Sequence, residues 1–170
     1  MPEGFAPVAR EDAVLLILGT MPSAQSLQRR EYYGHPRNGF WPILFALWGA
    51  ECPADYEQRC RFLLDRRIAL WDVLRDCQRD GSADAAIRQP RANDFTGFQA
   101  GHPHIRALFF NSRNAETFYH RLVAPDPFFR LPQTVLPSTS PARAMKWEEK
   151  KTAWQPLRDR WDAIMAEERD

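Results

Sequence analysis

The chain has 170 residues, of which 44% are hydrophobic and 26% charged, and its net charge is +1. This balance suits one soluble globular domain with a sizeable core; it excludes a largely disordered chain and a uniformly basic nucleic-acid-binding surface. The longest apolar run, residues 13–18, is too short to span a bilayer, and MPEGFAPVARED lacks the features of a secretion signal, so no membrane role and a cytoplasmic location are expected.

The first predicted element is a buried strand over 13–18, closed by Gly19 and the turn GTMPS. After it comes YYGHPRNGFWPIL, where Pro42 at a first-turn position opens a helix over 43–48. Tyr56, Cys60, Leu63 and Leu64 repeat at helical spacing, and a second strand covers 68–73. Ser82 is placed to cap a short helix, a third strand covers 105–110, and Asn114 is placed to cap a helix over 115–122. A short strand at 134–136 precedes a long segment with Trp147, Trp154, Leu157, Trp161, Ile164 and Met165 on one face, where Pro156 marks a kink or a fresh start.

Strands apolar throughout, alternating with helices, predict an α/β fold: a four-stranded parallel sheet covered on both faces, forming one domain over residues 1–170. Such sheets bind ligands beyond the carboxyl ends of their strands. The segments there are GTMPSAQSLQRREYYGHPRNGFW, DVLRDC, NSRN and PSTSPARA, three of them rich in polar groups that a core does not need.

Each segment has an ordinary structural reading. Gly19 can serve as a turn residue, Asn38 can cap the following helix, Asp72 can cap a turn, and the tyrosines can pack on the sheet rim. One loop seldom gathers Tyr32, Tyr33, His35, Arg37 and Asn38 for capping alone, however. Asn111, at the end of an apolar strand, carries an amide that can donate and accept toward a planar heterocycle. Ser138, Thr139 and Ser140, followed by Lys146, form a segment of the kind that holds phosphate. Cys52, Cys60 and Cys77 fit neither a CxxC pair nor an iron-sulfur run, and His102 and His104 flank Pro103 in a loop, so no metal is expected.

Together GTMPSAQSLQRREYYGHPRNGFW, IALWDVL, ALFFNSRNA and LPSTSPA resemble the uracil-DNA glycosylase superfamily, and most of all its hypoxanthine (deoxyinosine) branch. The resemblance implies a three-layer α/β/α sandwich, a pocket for a flipped base, damaged DNA as partner, and hydrolysis of an N-glycosidic bond without cofactor or metal by a monomer. By position it makes Gly19 to Ser23 the first motif, with Gly19, Thr20 and Met21 at the base and Ser23 on the DNA. It makes Tyr32 or Tyr33 the aromatic on the base, and Asn38 and Asn111 the amides close to it. Ser138, Thr139, Ser140, Pro141, Ala142 and Arg143 become the segment that pinches the strand. Asp72 would lie beside the base.

Many members carry Asp or Asn at the middle of the first motif to hold the attacking water, and Met21 stands there instead. Asn38 is then the group left to orient water, through its carbonyl oxygen. Asn111 can pair with the carbonyl and ring N–H of hypoxanthine and reject adenine, although uracil shows the same pair. Relatives place a bulky wedge after the Ser-Pro pair; here Ala142 is too small, which leaves Arg143 for that role. Arg29, Arg30, Arg37, Arg113, Arg143 and Lys146 are the expected phosphate-tracking patch. A mismatch-specific uracil or thymine glycosylase and a lesion-binding module that does not cut remain the competing readings.

Overall fold

The computed structural model describes residues 3–170. Its core is a four-stranded parallel sheet in the order β2-β1-β5-β6, built from β1 (Leu15–Gly19), β2 (Ile68–Asp72), β5 (Ala107–Phe110) and β6 (Gln133–Val135). Every residue of β1, β2 and β5 is buried, the pattern of a sheet covered on both faces. The expected strands are all present, each displaced by a residue or two.

Two groups of helices supply the covers. In one, α2 (Phe40–Leu47), α3 (Tyr56–Asp65) and α6 (Trp147–Arg169) interlock through aromatic pairs. Phe45 stacks on Phe62 at 3.9 Å, and Phe40 and Trp48 meet Trp154 and Trp161 edge-on. In the other, α4 (Phe95–Gly101) and α5 (Arg113–Leu122) join through Phe95 and Tyr119, with Trp71 of β2 against Phe95 and Phe98. The tryptophans of α6 serve the core: the indole N–H groups of Trp154 and Trp161 donate to the carbonyls of Pro137 and Arg66. Pro156 is accommodated within α6, which runs on for 23 residues.

Three features depart from the sequence reading. A two-stranded antiparallel sheet, β3 (Leu74–Gln78) with β4 (Arg88–Ala92), follows directly on β2 and was not expected. Its charged, proline-containing β4 conceals it, yet Arg91 grips the buried Asp76 through two hydrogen bonds of 2.7 and 2.6 Å. That guanidinium holds the Asp76 carboxyl below its ordinary range.

The caps of two helices also move. Ser112, not Asn114, caps α5, its Oγ accepting from the Ala115 N–H at 3.0 Å, while Asn114 reaches Asp84. Ser82 accepts instead from the backbone N–H of Ala24, which ties the β3–β4 connection to α1 (Ala24–Arg29). Among the cysteines only Cys77 is buried; Cys52 and Cys60 are half-exposed thiols. No helix among the described residues is long and apolar enough to cross a membrane.

Candidate active site

Parallel register brings the strand ends together. Gly19 lies opposite Asp72, the Asn111 N–H donates to Leu18 across the β1–β5 pair, and the Leu136 N–H donates to Phe110. Beyond this edge opens a cavity of about 620 Å³. The first motif (Gly19, Thr20, Met21, Ser23), both tyrosines, Asn38, Asp72 and Asn111 all line it. Ser138, Thr139, Ser140, Ala142 and Arg143 form the facing wall. Arg37 and Lys146 stand outside it and exposed, and Pro141 is exposed beside it.

The two tyrosines diverge because Tyr33 has a left-handed backbone, φ 54°, a conformation that costs a non-glycine residue about 1 kcal/mol or more. Tyr32 turns into the protein: it is 3% exposed, meets Phe5 edge-on, and its hydroxyl donates to the Ala6 carbonyl at 2.8 Å. Tyr33 stacks on Phe40 at 4.1 Å and 19°, so only its other face is left for a base. Burial raises the ionisation of both hydroxyls far above the usual phenol range, with Asp72 adding to the effect.

Asn38 combines two roles. Its Oδ1 accepts from the Phe40 N–H at 2.9 Å, capping the start of α2, and this leaves one lone pair and the whole NH2 group for other partners. Asn111 is engaged more fully. Its Nδ2 donates to Thr139 Oγ1 at 3.0 Å while its Oδ1 accepts from the Thr139 N–H at 3.1 Å. The amide edge that could read a base with two hydrogen bonds is therefore spent on Thr139. One N–H and one lone pair remain, pointing away from each other. Thr139 in turn accepts the Gly39 N–H, which binds the serine-rich segment to the Asn38 loop.

Ser138 and Ser140 accept backbone N–H groups of Ser140 and Ala142, so each hydroxyl proton remains free to meet a phosphate oxygen. Ser23 is the cap of α1: its Oγ accepts from the Ser26 N–H and donates to Ser26 Oγ. Lys150, buried in α6, steadies the wall by donating to the Ser140 carbonyl. Arg29, Arg30, Arg37, Arg113, Arg143 and Lys146 are all exposed, and none forms an ion pair among the described residues.

Asp72 is 4% exposed, and its Oδ2 has no hydrogen-bond partner among the described residues. Burial, with Asp84 as the second cause and Arg79 opposing, pushes its carboxyl up to about 7. Asp84, Ser112 and Asn114 also line the cavity; the sequence placed the NSRN segment at this edge without a site role for Ser112 or Asn114, and Asp84 was not expected there. Asp84 comes from a short helical turn inside the unexpected β3–β4 connection, and no local signal marked it.

No family model matches the chain. It is 33% identical to a hypoxanthine DNA glycosylase of Methanosarcina acetivorans over 158 residues, 91% of this chain and 96% of that protein. A hypoxanthine DNA glycosylase of Methanosarcina barkeri is 30% identical over 89% of this chain and 94% of its own. Among solved structures, the solution NMR structure of a candidate uracil DNA glycosylase from Methanosarcina acetivorans superposes with a TM-score of 0.80. It is 32% identical, covering 94% of this chain and 98% of that one. Sequence identity over nearly the whole length, with the same fold and a polar cavity at the strand ends, establishes that the chain belongs to the hypoxanthine DNA glycosylase family, within the uracil-DNA glycosylase fold.

Proposed function

We propose that this protein is a monofunctional DNA glycosylase of base-excision repair that hydrolyses the N-glycosidic bond of hypoxanthine, the deamination product of adenine. The observation that carries this reading is the cavity at the carboxyl edge, which joins two amides, an aromatic ring and a hydroxyl-rich wall beside unpaired surface cations. The names of its relatives agree.

A base inside a duplex is out of reach, so the enzyme extrudes it at a cost of a few kcal/mol. Tyr33 offers the stacking face, and the hydroxyls of Ser138 and Ser140 with the exposed cations hold the flanking phosphates. Arg143, exposed at the cavity wall, fills the space left in the stack. Bond breaking places positive charge on the sugar and negative charge on the base, so fixed dipoles govern the rate. The Asn38 amide cannot titrate, but its free lone pair can aim a water at the cationic sugar.

Met21 contributes only apolar wall, in keeping with hypoxanthine rather than uracil as the preferred base. Because Thr139 holds its paired edge, Asn111 acts mainly by fixing the wall, and base reading falls to single contacts from several groups. The enzyme works as a monomer where the DNA lies, in the cytoplasm, without metal or cofactor.

Duplexes containing inosine, uracil, xanthine or a G:T mismatch, incubated with the protein and treated with alkali, test the reading. Strand breakage at inosine, faster than at the other three, is expected. Tight retention of inosine DNA with no abasic product would mean a lesion-binding module instead.

A further inference from the structure

Two buried oxygens at the sheet edge, Asp72 Oδ2 and the Tyr33 hydroxyl, have no hydrogen-bond partner among the described residues. Both side chains crowd against Gly19. A Cβ there would lie 2.6 Å from Asp72 Oδ1 and 2.9 Å from Tyr33 Oη, so the missing side chain of Gly19 is what lets the two side chains share that space. An unpaired carboxylate buried this deeply costs several kcal/mol, and a carboxyl group so placed tends to keep its proton.

The neighbours point the same way. From the short turn at 84–86, Asp84 repels a negative charge on Asp72. From the loop after α1, Tyr32 and Tyr33 present hydroxyls held neutral by burial. Arg79, immediately after β3, favours ionisation. Its guanidinium is tied to the Pro22 and Ser82 carbonyls and sits 3.9 Å from Asp84, and no ion pair joins it to Asp72 among the described residues.

Neither Asn111, tied to Thr139, nor Asn38, which cannot titrate, can neutralise a departing base. We propose that Asp72 enters the reaction as a neutral carboxylic acid and transfers its proton to N7 of the departing purine. This rests on hypoxanthine as substrate. Asp72 lines the cavity at the strand ends, and a purine that leaves the duplex through the major groove leads with the edge that carries N7 and O6, whereas N3 lies on the minor-groove edge.

With the water that hydrolysis consumes, the step balances. The C1′–N9 bond breaks with its electron pair passing to the base, the Asp72 O–H bond breaks, and the proton goes to N7, so hypoxanthine leaves neutral. Water bonds to C1′ and releases its surplus proton to solvent, and the carboxylate takes up a proton from solvent once the base has left. A pyrimidine has no N7, so the device serves purines.

Single-turnover cleavage of an inosine duplex from pH 5.5 to 9.5 tests the proposal, with Asp72→Asn as the variant. Asparagine still donates a hydrogen bond but cannot give up the proton. The wild-type rate should be level on the acid side and fall roughly tenfold per pH unit above about 7. Asp72→Asn should bind inosine DNA within about threefold of wild type, cleave it about 10²-fold more slowly at pH 6.5, and show no such fall. A wild-type rate unchanged up to pH 9.5, or a fall that persists in Asp72→Asn, overturns the proposal while leaving the hypoxanthine assignment intact. Absence of inosine cleavage at every pH takes both down. Should the variant not fold, a duplex with 7-deaza-2′-deoxyinosine decides with the wild type alone: cleavage at the inosine rate overturns a role for N7, and a loss of about 10²-fold supports it.

Discussion

At the amino ends of β1, β2 and β5 the charged side chains find partners in one another: Arg67 pairs with Glu168 and Asp12, Arg106 with Glu167, and Arg10 with Asp65. These pairs are at least partly exposed. At the carboxyl ends of the same strands the polar groups are buried and incompletely satisfied. Five buried side-chain polar atoms lack a partner among the described residues, and three of them, on Tyr33, Asp72 and Arg79, lie at or beside this end. The other two belong to Trp48 and Arg66, which pack together as a cation-π pair. The amino end of the sheet thus pairs most of its charges with its own side chains, whereas the carboxyl end holds the larger share of unpaired buried groups, which cost stability until something binds. Unpaired polar atoms cluster where a ligand completes the bonding.

The sharpest test of this contrast is the pH dependence of stability. Asp72 ionises near its usual carboxylate value when unfolded but at about 7 when folded. The folded state therefore binds the extra proton, and wild-type stability falls as pH rises from about 4 to about 7, then levels. Asp72→Asn lacks this loss. Urea unfolding should show the variant gaining on wild type by on the order of 4 kcal/mol between pH 4 and pH 8. A difference independent of pH would mean that the carboxyl finds a partner in solution.

Next in size is Asn38→Ala, which should slow single-turnover cleavage of inosine DNA by about 10²-fold or more, roughly 2.7 kcal/mol, while the protein stays folded. Loss of the Phe40 cap alone costs about 1 kcal/mol of stability, so a thermal melt separates the two roles. An unchanged rate would reduce Asn38 to a helix cap.

Arg143→Ala should cut cleavage of duplex inosine by about tenfold and of single-stranded inosine by much less, since nothing needs to be held open in a single strand. Equal losses on both would make Arg143 a phosphate contact. At the opposite end of the sheet, Glu168→Gln should cost less than about 1 kcal/mol and leave cleavage unchanged, because its partner Arg67 is partly exposed and keeps Asp12. A loss of activity there would break the division between the two ends.

The residues themselves determined much of this. Runs such as 15–18 and 68–71 are apolar throughout because both faces of the sheet are covered, and that made the parallel sheet, and the edge where the cavity opens, legible. The β3–β4 pair was not legible: it depends on Asp76 meeting Arg91 fifteen positions away, and Pro90 and two arginines in β4 argue locally against a strand. With that pair went Asp84, which reaches the cavity only through their connection.

Within the candidate site, residue types pointed to the edge where the cavity opens, but the use of each lone pair and proton was decided by tertiary contacts. A left-handed backbone at Tyr33 separated it from Tyr32. Thr139, 28 residues from Asn111, took the amide edge that the sequence left free for a base. Asp72 is an ordinary carboxyl in the sequence; it becomes an acid near neutrality only because Gly19, Tyr33 and Asp84 close around it. Periodicity records which face of an element is buried and where the element ends, both local properties. Hydrogen-bond saturation and the ionisation of a buried group depend on atoms brought together from distant parts of the chain, and these only the folded structure supplies.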